Sequence, residues 1–173
     1  MTKKVAVALA GLALVAGLAV LAFRSSPPAG SASPTAFDLP ALGGGGRVRL
    51  AAYHGEPVVV TLYASWCTAC LSELPGFADQ SSRLRGKVQF IAVDSQETGD
   101  GAGFARRFGL AASGFVLAKD IGQSSTGGLF KAYAARGLPV TVFYNRSGTI
   151  VSKALEGVPD DVLQQQLHQL YGV

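Results

Sequence analysis

The chain has 173 residues, 49% of them hydrophobic, enough for one domain with a real core and short for two. Of its 15 Lys and Arg, set against 11 Asp and Glu, Lys3, Lys4 and Arg24 flank an apolar segment, so the net charge of +4 leaves the rest of the chain nearly balanced. No basic stripe remains to suggest nucleic acid as a partner.

Val5 to Phe23 is an unbroken apolar run behind two lysines, the pattern of an export signal at a bacterial-type membrane. As a helix rising about 1.5 Å per residue it reaches just short of the ~30 Å hydrocarbon core. That is long for a cleaved signal, so residues 1–23 are read as a single-pass signal-anchor with the following domain on the extracytoplasmic side. A signal peptide cut near the small residues Ala29 to Ala32, giving a periplasmic or secreted protein, is the alternative. Residues 24–35, RSSPPAGSASPT, have linker composition and no periodicity. The folded domain is expected over 36–173.

Within it, the apolar residues of AFDLPAL and RVRLAAY alternate around Gly43 to Gly46, which predicts a loose N-terminal hairpin. The β-branched run Pro57 to Ala64 and the run Val88 to Asp94 read as buried strands. Between them Cys67 to about Arg85 has helical spacing, with Leu71, Leu74, Phe77, Ala78 and Leu84 near one face. Strand, helix, strand makes a crossover unit with parallel strands. A short helix is expected over Gly101 to Leu110, a strand over Gly114 to Asp120 and a helix over Gly127 to Arg136. VTVFYN and TIVSKAL flank a turn near Asn145 to Gly148. Pro159, Asp160 and Asp161 open a last helix carrying Val162, Leu163, Leu167 and Leu170. The sum is an α/β fold, a central mixed sheet flanked by helices.

Both cysteines of the chain lie in YASWCTAC, behind its one tryptophan. A disulfide closing so small a loop constrains the unfolded chain little, so a structural staple is a weak motive. Zinc needs about four ligands, and His54 and His168, far apart in sequence, read as surface residues. Reactivity has a mechanism at each position. Cys67 falls where strand gives way to helix, so its sulfur faces unpaired N–H groups and the positive end of the helix dipole, which favour thiolate. Cys70, one turn inward and more buried, is placed to attack a mixed disulfide on Cys67 and release the product.

The segment PVVVTLYASWCTACLSELPGF resembles the active-site segment of the thioredoxin superfamily, in particular its membrane-tethered TlpA/ResA-like branch, which includes the cytochrome c maturation thioredoxins. FDLPAL, FIAVD, GLPVTVFYNRSGTIV and the last helix follow in the expected order, so the likeness covers about Ala36 to Val173. It implies a thioredoxin fold with an N-terminal hairpin extension, and a thiol-disulfide oxidoreductase whose redox-active group is the Cys67–Cys70 disulfide, with no other cofactor and no metal. Trp66 would shield the dithiol and offer substrate a flat apolar surface, the alternative being a plain core tryptophan. Pro139 matches the family's cis-proline, which would present the Leu138 backbone for a substrate strand to pair with. Pro75 would kink the active-site helix. Glu73 matches a glutamate near the dithiol; buried, it would have a raised pKa and could carry the proton of Cys70. Thr61 stands where thioredoxin has a buried aspartate, which increases the demand on Glu73. The dipeptide Thr68-Ala69 lacks the common proline before the second cysteine, which bears on redox potential and substrate choice.

The partners so implied are exported cysteine-containing proteins, apocytochrome c among them, and a membrane thiol carrier that re-reduces the pair. An oxidising, disulfide-donating catalyst would use the same residues. A copper chaperone would want histidine or methionine partners, and a peroxidase on this fold would carry a lone cysteine behind a threonine. Asp94 reads as a turn residue, ETGDGAG (97–103) as a mobile loop, and NRS at Asn145 as a turn.

Overall fold

The computed structural model describes residues 32–122 and 128–173. The expected signal-anchor and most of the linker lie outside them. Among the described residues no helix is long and apolar enough to cross a membrane. A hairpin of β1 (Asp38–Pro40) and β2 (Arg47–Arg49) precedes a turn of 3-10 helix (Leu50–Tyr53). Then come β3 (Val58–Tyr63), α1 (Thr68–Arg83), β4 (Gln89–Asp94), α2 (Gly101–Arg107), α3 (Leu110–Ser113), β5 (Val116–Lys119), α4 (Gly128–Ala132), β6 (Val140–Tyr144), β7 (Ile150–Ala154) and α5 (Asp160–Tyr171).

The central sheet has the order β5-β4-β3-β6-β7. β3 runs parallel to β4, and β4 to β5, while β6 is antiparallel to both β3 and β7. All six residues of β3 are buried, and their alternation divides the core. Val59 and Tyr63 join Leu74 and Phe77 of α1, Phe104 of α2 and Leu163 of α5 on one face. Val58, Val60 and Leu62 join Phe37, Leu39 and Val48 of the N-terminal hairpin and Leu129 and Phe130 of α4 on the other. A strand apolar on both sides is what a sheet covered on both faces requires.

The hairpin also covers the β5 edge, where the Leu42 N–H donates to the Leu117 carbonyl at 3.0 Å, and such cover keeps a bare edge from pairing with other chains. Its anchor is Asp38. Burial works against this carboxylate's charge, but Arg47 and Arg49 bond both its oxygens and hold its pKa below the usual range.

The buried face of α1 runs through Cys70, Glu73, Leu74, Phe77, Gln80 and Ser81. Leu71, expected on that face, is exposed. Reading only the apolar positions turns the face by about one residue, because three of its buried members are polar. Gln80 justifies its burial by donating to Asp160 Oδ1 at 3.3 Å, joining α1 to the first turn of α5. Val162 is likewise exposed, while Leu163 and Leu167 are buried. At the expected β6–β7 turn the Asn145 carboxamide oxygen accepts from the Ser147 and Thr149 N–H groups at 3.0 Å each, which makes it an Asx turn.

Candidate active site

β3 ends at Tyr63, and the Cys67 N–H donates back to the Ala64 carbonyl at 3.1 Å, a tight turn that delivers Cys67 to the helix start. Cys67 is the N-cap of α1, and its Sγ accepts the Cys70 N–H at 3.1 Å. A sulfur here takes the place of the usual capping oxygen, satisfying a donor the helix leaves open. Cys67 and Cys70 are joined as a disulfide with S–S 2.12 Å. Both are buried, Cys70 fully and Cys67 with 3% exposure. The intervening Thr68 and Ala69 are exposed, so they form the surface that an approaching chain meets.

Trp66 is 52% exposed, and its indole N–H donates to the Gln96 carbonyl at 2.8 Å. It is therefore not a core tryptophan but an apolar plate pinned at one edge beside the dithiol. The Leu138–Pro139 peptide bond is cis, as the resemblance implies. Pro139 is buried, and Leu138 packs against the apolar cluster that contains both cysteines.

Glu73 lies one turn beyond Cys70 on the buried face of α1. One of its oxygens accepts the Val158 N–H at 2.9 Å, and the other faces the Thr61 hydroxyl at 3.5 Å. Gly157 brings this carboxyl near the cis proline: a Cβ there would sit 3.8 Å from Glu73 Oε2 and 3.9 Å from Pro139 Cγ. Burial pushes the Glu73 carboxyl up to about 7, against the lowering effect of the Val158 and Thr61 bonds. It can therefore hold or release a proton near neutrality. An open cleft of about 390 Å³ reaches it, lined by Ala69, Ser72, Gly157, Val158 and Asp160 among others. Pro75 lies inside α1, and both histidines are exposed.

Two expectations need correction. The segment 97–103 is not a mobile loop. The Glu97 carboxyl accepts from the Ser65 N–H at 2.6 Å and the Ser65 hydroxyl at 2.7 Å, and Asp100 caps α2 through the Gly103 N–H at 2.7 Å. Its glycines serve close approach, since a Cβ at Gly101 would collide with the Asp94 carboxylate and one at Gly103 with Asp100. Nor is Asp94 a turn residue: it ends β4, is 3% exposed, and its Oδ1 has no hydrogen-bond partner among the described residues. The available clue is that Asp94 and Glu97 leave the carboxyl end of the strand parallel to the one that delivers Cys67, the end of a parallel sheet where sites form.

The family model described as AhpC/TSA matches residues 30–153, well over half the chain. A thiol-disulfide oxidoreductase ResA of Bacillus thuringiensis is 25% identical over 128 residues, covering 73% of this chain and 70% of that one. Among solved structures, a protein described as thiol:disulfide interchange protein DsbE from Chlorobium tepidum aligns at TM-score 0.62 and 23% identity, over 79% of this chain and 94% of that one. The exposed lipoprotein thioredoxin of Streptococcus pneumoniae aligns at TM-score 0.59 and 26% identity, over 78% of this chain and 99% of that one. With its two cysteines at the start of the helix after the first central strand, the chain belongs to the AhpC/TSA family of the thioredoxin superfamily, and it is a thiol-disulfide oxidoreductase similar to the ResA proteins.

Proposed function

We propose that the protein is an extracytoplasmic reductant, held at the membrane by residues 1–23, that reduces disulfides in exported proteins such as apocytochrome c. The observation that carries the reading is the cis Pro139, the buried Glu73 and the helix-capping Cys67–Cys70 pair assembled at one end of the sheet. In the reduced protein the Cys67 thiolate attacks one sulfur of a substrate disulfide, forming a mixed disulfide and expelling the other sulfur as thiolate, which takes up a proton. Cys70 gives its proton to the Glu73 carboxylate, one turn along the helix, and attacks Cys67 Sγ. The second substrate sulfur leaves as thiolate and is protonated, and the Cys67–Cys70 disulfide remains. Two electrons pass to the substrate, whose two thiolates are protonated by Glu73 and by solvent, and a membrane thiol carrier restores the dithiol. Trp66, Thr68, Ala69 and the Leu138 backbone would hold the substrate segment.

The extracytoplasmic placement draws on the apolar N-terminal run and on the pneumococcal relative, which is described as an exposed lipoprotein. Trapping with Cys70→Ala tests the reading, because a mixed disulfide on Cys67 then has no resolving thiol. Capture of a c-type haem apoprotein in cells is the expected result. Capture of a diverse set of secreted proteins would move the assignment to the oxidising direction, which the same residues can run in reverse.

A further inference from the structure

A second pair of carboxyls reaches the active-site loop from the end of β4. Tyr63 and Asp94 are opposite each other in the parallel pair, and the Ser95 N–H donates to the Tyr63 carbonyl at 2.9 Å. From there the segment toward Cys67 and the segment toward Glu97 run together and are stitched at two places. The Glu97 carboxyl takes both donors of Ser65, and the Gln96 carbonyl takes the Trp66 indole at 2.8 Å. The Thr98 and Gly99 N–H groups also donate to Glu97, at 2.9 and 2.6 Å. Four donors converging on one carboxyl call for an anion, which offers acceptors only. Although burial disfavours its charge, the bonds from Ser65, Gly99 and Thr98 hold Glu97 below the ordinary glutamate value.

Behind this clamp sits Asp94. Glu97, three residues on, is the acidic group that acts on it most strongly, and the lack of a Cβ at Gly101 is what lets the Asp94 carboxyl sit against the start of α2. The other groups facing it are Asp100, also acidic, Lys119 on β5 and Tyr63 on β3. Lys119 lies opposite Asp94 in the β4–β5 register but is exposed, so solvent screens it. The Tyr63 hydroxyl is committed to the Gly101 carbonyl at 3.1 Å. Asp120, at the same end of the sheet, is occupied by the Ser95 hydroxyl and by the N–H groups of Ile121, Leu129 and Phe130. Glu97 is thus the natural acceptor for an Asp94 proton.

We propose that Asp94 is a proton-controlled positioning residue of the active site: as a neutral acid it backs the Glu97 carboxylate that holds Ser65, and on ionising it repels Glu97 and loosens the Ser65–Trp66 segment that leads into Cys67. Burial first, and then the Glu97 charge and bond, put the Asp94 transition at about 7. Below that pH the clamp is closed; above it, the buried Asp94 anion and the half-buried Glu97 anion oppose each other. The Trp66 plate and the approach to Cys67 therefore change with pH, independently of Glu73.

This inference rests on the reading of Cys67 and Cys70 as the reactive pair, but its test does not. Trp66 is the only tryptophan, and in the oxidised protein neither cysteine has a proton to lose. Its fluorescence, titrated across the neutral range on oxidised protein, is expected to show an inflection near 7 that Asp94→Asn removes and Glu73→Gln preserves. Glu97→Gln, which removes the charge that ionised Asp94 repels, is expected to abolish the inflection as well, and it decides the matter if Asp94→Asn does not fold. A flat titration, an inflection that survives in Asp94→Asn or in Glu97→Gln, or one that vanishes in Glu73→Gln overturns the proposal.

Discussion

Cys67→Ser reduces insulin-disulfide reduction to the uncatalysed rate, whereas Cys70→Ser retains a first attack and then stalls. The difference follows from where the two sulfurs sit. Cys67 caps α1, and its Sγ accepts the Cys70 N–H at 3.1 Å. After reduction the same donor and the positive end of a 16-residue helix lie against the Cys67 thiolate and stabilise it. A serine hydroxyl at the same seat is far too weak an acid to ionise near neutrality and cannot form the mixed disulfide at all. Cys70 has no exposure, so a substrate sulfur reaches it only after being held on Cys67. The check is a turbidity assay with excess dithiol for turnover, with mass spectrometry of the stalled Cys70→Ser adduct. A Cys67→Ser protein that keeps more than about a tenth of the wild-type rate would contradict this order of events, since an essential nucleophile contributes several powers of ten.

Glu73→Gln is expected to stabilise the fold at alkaline pH while slowing the resolving step. In the unfolded chain Glu73 ionises near 4.5, whereas in the folded protein burial raises it to about 7. Between those values the folded state binds more protons than the unfolded one, so stability falls as pH rises, and the full penalty is present above about 7. A shift of that size corresponds to up to about 3 kcal/mol, since one unit is about 1.4 kcal/mol. The glutamine can still accept from Val158 and bond Thr61, so it loses the charge and little else. Urea titrations are expected to find Glu73→Gln more stable than wild type at pH 8 and equal to it at pH 4. Rapid mixing of the reduced protein with a disulfide peptide is expected to show resolution slowed by about 10²-fold at pH 8, a typical loss for a positioned base. That difference should vanish in acid, where Glu73 is already protonated. A variant no more stable at pH 8, with an unchanged resolution rate, would show Glu73 to be an ordinary solvated carboxylate.

How legible each part of the site is in the sequence follows from how local its physics is. Cys67 and Cys70 can be read because a β-branched strand, a cysteine pair and a helical pattern are contiguous, and helix capping acts over a single turn. Pro139 and Glu73 become meaningful through the family likeness, and packing then joins them through Gly157. Asp94 and Glu97 are misread because what matters about them is long-range: Glu97 bonds Ser65 across 32 positions of the chain, and only the β3–β4 register brings them together. Glycine-rich sequence there suggests freedom, when the glycines at 101 and 103 instead make room for carboxylates. Leu71 is misplaced for a related reason. Glu73, Gln80 and Ser81 fill buried positions of α1 that a count of apolar residues leaves empty.

Every step of the exchange depends on the acidity of one thiol. Alkylation of Cys67 in the reduced protein by iodoacetamide, followed against pH with Cys70 replaced by alanine, measures it directly. A half-maximal rate well below the value of about 8.5 for a free thiol is the predicted result. A profile that coincides with the free thiol, or lies above it, would contradict the helix-seated thiolate on which every later step depends.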